Sequence, residues 1–248
     1  MQRDYEIQYH LIEEDHYWFR GRRHIVNQLL LQTNSDLECR ILEIGCSGGP
    51  LMRQLSQNGY RHVTGIDISP DAISLCRRRG FHDSHVMDAQ DPSFGDSVFD
   101  VITASDVLEH LADAPKAVRA WARLLKPGGV LIVFVPAFRF LWTEHDEVNH
   151  HFQRYHRREL RHLLASNGLR VERSSYWNFL LFFPVAVIRL IKKILPKRKA
   201  AGTGDMFTPP TLINRALTAM LRLENRLLLS GVNYPVGVSV MAVGRKAL

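Results

Sequence analysis

Short apolar runs alternate with helix-like stretches from about residue 40 to about residue 175. Arg40–Ile44 (RILEI) reads as a first strand, and the helix-like stretch after it ends at Asn58-Gly59. His62–Asp67 (HVTGID) predicts a second strand. Ser69-Pro70 opens a helix, since proline suits the first helical turn, and that helix runs to Arg79-Gly80. His85–Asp88 (HVMD) predicts a third strand and Phe99–Ala104 (FDVITA) a fourth. Asp113–Leu125 has helical spacing and stops at Lys126-Pro127-Gly128-Gly129, a turn with two flexible residues. Val130–Val135 (VLIVFV) is apolar throughout, as a strand buried on both faces is. Arg157–Asn167 predicts a helix closed by Gly168, and Leu169–Ser175 a sixth strand. This rhythm predicts an α/β fold, a doubly wound and mostly parallel sheet with helices on both sides.

Two stretches break the rhythm. Pro136–His156 follows the fifth strand and is rich in histidine and aromatics. Tyr176–Pro235 separates the sixth strand from a final β-like run, Val236–Gly244 (VGVSVMAVG). The expected division is N-terminal cap helices over 1–35, a core over 36–175 and 236–248, a lid over 136–156, and a helical insertion over 176–235. The length of 248 residues corresponds to about 1.7 ordinary domains, so the insertion accounts for the excess over one. With 46% hydrophobic and 23% charged residues, collagenous and wholly disordered chains are excluded. Cys39, Cys46 and Cys76 are three cysteines with no C-x-x-C spacing, which argues against a disulfide framework or a structural zinc site. The start MQRDYEIQYHLIEEDHYW carries acids where a signal peptide needs an apolar stretch, and reads as a cytosolic N-terminus.

Candidate chemistry begins at the end of the first strand, in Glu43-Ile44-Gly45-Cys46-Ser47-Gly48-Gly49-Pro50. Small residues there let the backbone turn tightly and approach a ligand. The dinucleotide pattern G-x-G-x-x-G fails at Ser47 and Pro50, and a P-loop's G-K-[ST] is absent. What fits is acid-x-Gly-x-small-x-Gly, with Glu43, Gly45, Ser47 and Gly49. An acid two residues before the first glycine suits a ligand with an ammonium group better than one with a pyrophosphate. Asp67 ends the second strand, where an acid can take both ribose hydroxyls. Asp88 ends the third, where an acid can accept from an adenine amino group.

The segments ILEIGCSGG, GIDIS, MDAQD, FDVITASDVLEHL and LLKPGGVLIVFVP together resemble the class I S-adenosylmethionine-dependent methyltransferases, over about residues 40–175 plus the final strand. The resemblance implies a seven-stranded Rossmann-like sheet whose last strand is antiparallel. It implies S-adenosylmethionine as cofactor, its methionine part against Gly45–Gly49 with Glu43 near the amino group. Asp67 would take the ribose and Asp88 the adenine edge, with Cys46, Ile68 and Ala89 carried over from the same motifs. Ser105 and Asp106 would line the methyl-donor side. Ser47 departs from the family's usual middle glycine.

A methyl on a sulfonium is already activated, so the enzyme mainly aligns an in-line displacement and excludes water. An acceptor that must lose a proton needs a base. His145, His150, His151 and His156 cluster in the first insertion with Arg154 and Tyr155, in a loop leaving the carboxyl end of a central strand. This loop also resembles one in a bacterial branch of the superfamily. His151 and Tyr155 are the candidates for acceptor contact or base; a lid held together by hydrogen bonds explains them equally well. His110 is expected at the pocket. Two sets have metal-ligand chemistry: His145, His150 and His151, and Asp106, Glu109 and His110 on one expected helical face. The second is similar to a stretch in ubiquinone-pathway O-methyltransferases, but such stretches are widespread without metals, and no metal site is assigned. His16–Arg23 (HYWFRGRR) resembles the branch's N-terminal helix, which places Arg20 or Arg23 on the methionine carboxylate, or simply packs Trp18 and Phe19 on the domain.

The net charge of +7 permits nucleic acid, an anionic membrane or an anionic substrate. Arg189, Lys192, Lys193, Lys197, Arg198 and Lys199 concentrate it beside the apolar run Phe179–Ile188. Phe179–Leu195 is too short and too charged to span a bilayer. A basic amphipathic helix with aromatics at its start reads as a membrane-surface contact through 179–199; a cap helix or a dimer contact is the alternative. Three classes remain: a methyltransferase acting on a small-molecule or lipid-linked acceptor at oxygen, an RNA-directed methyltransferase, and a non-catalytic cofactor-binding membrane module. Ser105-Asp106-Val107-Leu108 lacks the Asp/Asn-Pro-Pro-aromatic turn of amino-directed nucleic-acid enzymes, and no cysteine follows the third strand to attack a base carbon. Both facts favour the first class, in a cytoplasmic protein peripheral to the membrane.

Overall fold

The computed structural model describes residues 10, 12–194 and 208–248, except for the side chains of Lys192 and Ile194. Strands β1 (Arg40–Ile44), β2 (His62–Asp67), β3 (Ser84–Val86), β4 (Phe99–Ser105), β5 (Leu125–Pro136), β6 (Leu169–Trp177) and β7 (Ser239–Lys246) form one sheet. Their spatial order is β3-β2-β1-β4-β5-β7-β6. β7 runs antiparallel to both of its neighbours, and the other pairings are parallel. The expected seven-stranded architecture with an antiparallel last strand is therefore present. The winding reverses between β1 and β4, and ligands of such sheets bind beyond the carboxyl ends of the strands at that reversal.

Local chemistry sets the helices on this sheet. α1 (Tyr17–Thr33) precedes β1, and α2 (Pro50–Gln57) follows it. α3 (Pro70–Arg78) starts where the Ser69 side chain accepts the Ala72 N–H at 3.2 Å. α4 (Ala114–Leu124) starts where Asp113 accepts the Lys116 N–H at 2.8 Å, and it buries Val118, Trp121 and Leu124. α5 (Glu144–Val148) lies in the first insertion, and α6 (Arg157–Ser166) ends before Gly168 at φ +90°. α7 (Phe182–Ile194) and α8 (Thr211–Leu229) occupy the second insertion.

Several boundaries differ from the sequence expectation. β3 stops at Val86, so Asp88 stands in a loop two residues beyond it. Lys126–Gly129 is not a free turn: β5 begins at Leu125 and pairs with β4 across an irregularity, with Gly128 at φ +77°. β7 begins at Ser239 rather than Val236 and extends to Lys246. The helix expected after β4 is a single 3-10 turn, Leu108–His110.

The first insertion is pinned at its root by Phe138 N–H to Tyr155 O at 3.1 Å and Tyr155 N–H to Pro136 O at 2.9 Å. The second packs on the N-terminal helix. Asn225 of α8 accepts from Trp177 Nε1 at 2.7 Å and donates to Gly21 O at 2.9 Å, while a Cβ on Gly21 would sit 2.6 Å from Leu221. α7 has its apolar side outward: Phe183, Val187, Ile188, Leu190 and Ile191 are exposed. Two of its cations reach back to the first insertion, Arg189 donating to Leu141 O at 2.6 Å and Lys193 to Phe140 O at 2.7 Å. Leu195, Lys197, Arg198 and Lys199 lie outside the described residues. Among the described residues no helix is long and apolar enough to cross a membrane.

The orientation of α7 depends on Glu224 of α8. This buried carboxylate accepts the N–H groups of Phe179 at 2.7 Å and Leu180 at 3.3 Å. Glu224→Ala strands both donors and is expected to lower stability by about 1–3 kcal/mol in urea unfolding. Hydrogen exchange at Phe179 and Leu180 should rise at the same time; unchanged exchange there would contradict the anchoring role.

Candidate functional site

The loop after β1 is built from left-handed residues: Gly45 at φ +72°, Ser47 at +51° and Gly49 at +83°. Gly45 is required on two counts, because a Cβ there would also sit 2.4 Å from Val107. Asp67 holds the loop against the next helix. Its Oδ2 accepts the Ser47 N–H at 3.0 Å and its Oδ1 the Ser69 N–H at 2.9 Å. Cys46 and Gly49 shape the loop from behind. The Cys46 N–H donates to Ile66 O at 3.0 Å and its thiol lies 4.0 Å from that of Cys76, while Gly49 caps α2 beside Cys76 and Phe81.

In front of the loop is a cavity of about 720 Å³ at the sheet's reversal. Glu43, Gly45, Ser47, Asp67, Ile68, Asp88 and Ala89 line one end. Ser105, Asp106 and His110 line the other, with Trp18, Phe19 and Arg22 of α1 and Asn149, His150 and Phe152 of the first insertion. The cavity lining thus includes ten of the residues expected from sequence, while Cys46, Gly49, Arg20, His151 and Tyr155 stand outside it. Of the two arginines expected from α1, Arg23 lines the cavity and Arg20 does not, and Arg22 lines it as well.

Whether S-adenosylmethionine suits this cavity is tested by Glu43. Its side chain is more than nine-tenths buried, and its Oε2 has no hydrogen-bond partner among the described residues. Burial first, then the nearby Cys76 and Glu13, push its carboxyl well above the usual carboxylate range. A desolvated acid facing a cavity is relieved by a cation, and the cofactor's ammonium group supplies one. Ser105 Oγ is a second buried polar atom without a partner among the described residues. The donor set therefore fits.

Asp106 is turned by its left-handed backbone (φ +56°) toward α1, where Arg22 Nη1 meets its Oδ2 at 2.6 Å. Arg22 also donates to Ser239 Oγ at 2.8 Å, and its guanidinium lies 4.3–4.6 Å from the ring centres of Phe134, Trp177 and Trp18. Asp106 consequently does not share a helical face with Glu109 and His110.

The lid is organised by Asp146, whose carboxylate is fully buried. Burial alone would raise its pKa, but hydrogen bonds from His151 and Arg154 hold it well below the usual range. Arg154 clamps both oxygens at 2.8 and 3.0 Å, and His151 Nδ1 lies 2.9 Å from Oδ1. His151 stands edge-on behind His110, ring centres 4.6 Å apart. Burial first, then His151, pushes the His110 imidazole down to about 4, so it is neutral at pH 7. The Tyr155 hydroxyl is enclosed by Gln153 and Leu108 O, in keeping with a lid held by hydrogen bonds. Neither metal-ligand set expected from sequence assembles. One donor atom from each of Glu109, His110 and His151 does lie within 4.8 Å of the others, a spacing that a divalent ion could bridge.

Site residues that escaped the sequence reading include Arg22, Glu13 and His10, and Asn149 and Phe152 of the first insertion. Arg22 carried a signal, since it sits four residues after Trp18 and three before Ile25 on the stripe that α1 buries, where an arginine needs a partner. Glu13 and His10 carried none, because their place depends on how the chain folds back over the loop.

A family profile described as "Methyltransferase domain" matches residues 14–174. The ubiquinone biosynthesis O-methyltransferase of Xanthomonas oryzae pv. oryzae is 37% identical over 100 residues, 38% of this chain and 41% of that protein. Its counterpart in Xylella fastidiosa is 38% identical over 38% of this chain and 40% of that protein. The matched stretches thus span about two-fifths of these relatives' length. Among solved structures, phosphoethanolamine N-methyltransferase 2 of Haemonchus contortus in complex with S-adenosyl-L-methionine superposes with a TM-score of 0.61 at 16% identity, covering 91% of this chain and 52% of that one. The cyclase SpnF superposes with a TM-score of 0.59 at 19% identity, covering 90% and 80%. At such identities the likeness concerns the fold alone.

Removing Arg22 leaves the Asp106 carboxylate unpaired. Arg22→Met is expected to cost about 3 kcal/mol in urea unfolding, the low end for a buried pair because Asp106 is partly open to the cavity. Arg22→Met combined with Asp106→Asn should cost clearly less than the sum of the single changes. Strict additivity would show that the two groups do not act as a pair.

Proposed function

Because the chain belongs to the class I S-adenosylmethionine-dependent methyltransferases, we propose that it transfers a methyl group to an oxygen of a flat small-molecule or lipid-linked acceptor. The observation that carries this reading is the make-up of the cavity, whose lining includes the aromatic side chains of Trp18, Phe19 and Phe152 together with a neutral His110. The cofactor supplies a methyl on a sulfonium, so no further activation of the donor is needed. The protein holds and aligns. Glu43 would take the ammonium group, Asp67 the ribose hydroxyls and Asp88 the adenine edge, with the exposed Ile68 side chain beside them in the lining. His110 would accept the hydrogen bond of the acceptor hydroxyl and take its proton as that oxygen gains the methyl and S-adenosylhomocysteine leaves. His151 and Asp146 fix the wall behind His110, and Tyr155 closes the lid's root. The O-methyltransferase chemistry named for the curated relatives supports oxygen as the acceptor atom.

A lipid-linked acceptor is supported by α7, whose outward face carries Phe183, Val187, Ile188, Leu190 and Ile191 while basic residues follow it in the sequence. Exposed apolar side chains followed in sequence by positive charge suit an anionic membrane, on which the protein would sit peripherally, on the cytoplasmic side.

Asp67→Ala should abolish S-adenosylmethionine binding in calorimetry while circular dichroism stays unchanged; retained affinity would mean that the pocket is misassigned. Phe183→Asp with Ile188→Asp should reduce flotation with anionic liposomes several-fold and leave cofactor affinity intact. Equal flotation of wild type and variant would reject the membrane contact without touching the methyltransferase reading.

A further inference from the structure

His10 and residues 12–15, ahead of α1, lie against the glycine loop. Glu13 is buried, lines the cavity, and accepts the Ser47 hydroxyl at 2.8 Å; His10 Nδ1 lies 3.0 Å from the same hydroxyl. Arg23 donates to Glu13 O at 2.6 Å and Glu14 O at 2.7 Å. Glu14 pairs with Arg53 of α2 and, at 2.9 Å, with Arg79 after α3, and Arg79 donates in turn to Gly48 O at 2.6 Å. The segment is therefore strapped to the loop it covers by contacts at each side of it. His10 and Glu13 both precede residue 14, where the family match begins.

We propose that the segment containing His10 and residues 12–15 is a working part of the cofactor site: Glu13 receives the cofactor's ammonium group together with Glu43, and the Ser47 hydroxyl and the Glu14 ion pairs fasten the segment over it. The inference rests on the cofactor reading given above. Two observations carry it independently. Glu43 Oε2 is deeply buried and unpartnered among the described residues, and Glu13 lines the same cavity close enough to raise the Glu43 carboxyl. Arg23 attracts both acids but gives its Nη1 and Nη2 to the Glu13 and Glu14 carbonyls, whereas an ammonium group donates three hydrogen bonds, enough for both carboxyl groups. Ser47 has a reason to replace glycine on this account. It holds a left-handed conformation that glycine would adopt without strain, and its hydroxyl makes the contact to Glu13.

The test is a ligand series measured by calorimetry on the full chain. S-adenosylmethionine and S-adenosylhomocysteine both carry the ammonium group; 5′-methylthioadenosine lacks the amino-acid part. Glu13→Gln, which keeps size and a hydrogen-bond acceptor, is expected to weaken the first two about tenfold or more and leave the third unchanged. Ser47→Gly relaxes the backbone and removes the latch. It is expected to speed hydrogen exchange over residues 12–16 and to hasten release of S-adenosylhomocysteine, again without effect on 5′-methylthioadenosine. Equal weakening of all three ligands by Glu13→Gln, or of none, overturns the proposal. So does unchanged exchange in Ser47→Gly. Failure of the wild-type chain to bind any of the three would instead overturn the cofactor reading on which the proposal rests.

Discussion

The cavity is assembled around one buried cation. Arg22 is nearly inaccessible, yet its guanidinium touches five separate parts of the chain: Trp18 on its own helix, Asp106 after β4, Phe134 in β5, Trp177 at the end of β6 and Ser239 at the start of β7. A guanidinium is suited to this, since its edge donates hydrogen bonds while its faces stack on aromatic rings. Its burial is tolerable only because each of these partners is in place. The strand ends that supply them, from β4 to β7, all lie on one side of the sheet's reversal, so Arg22 ties the N-terminal helix to that half of the sheet.

This explains why the two ends of the sequence meet at the site. α1 could be no more than a cap if it packed on the core alone. With Arg22 inserted, its position is fixed to the strand ends, and α8 then locks its outer side through Asn225, Trp177 and Gly21. The insertion before β7 is thus a brace for the N-terminal helix as well as the carrier of α7. The lid uses the same physics on a smaller scale. Asp146 is a buried anion satisfied by Arg154, His151 and the Thr143 N–H, and it stiffens a stretch that has little regular structure of its own.

How much of this the sequence showed depends on the range of the interactions involved. Strands and helices were legible because their signals are local: VLIVFV could only be a doubly buried strand, and Ser69-Pro70 could only open a helix. The cofactor end was legible because its residues follow strand ends at fixed offsets, as Gly45, Asp67 and Asp88 do. The segment after β4 misled, since SDVLEHL has helical spacing but is held as a 3-10 turn by the Arg22–Asp106 pair and the left-handed Asp106 backbone. β7 was shifted because pairing along Lys246 is decided by its neighbour across the sheet rather than by apolarity. Arg20 or Arg23 was expected at the pocket and Arg22 was not, because spacing alone does not say which arginine a stripe of apolar residues will bury.

The same cation bears on acceptor chemistry. Three aromatic rings about 4.5 Å from a positive charge form the kind of cage that holds methylammonium groups when it is empty. Here the cage is filled from within, so an amine acceptor would find its place taken and a like charge beside it. The neighbouring acid offers little compensation, because Asp106 spends one oxygen on Arg22 and is partly neutralised by it. Phe19, Phe152 and the neutral imidazole of His110 line the same cavity. On the proposed reading, a flat ring bearing a hydroxyl would match that lining, with Arg22 favouring negative charge that develops on its oxygen. The fold alone leaves the acceptor open; within the proposed reading it is the occupied cage that argues for oxygen over nitrogen.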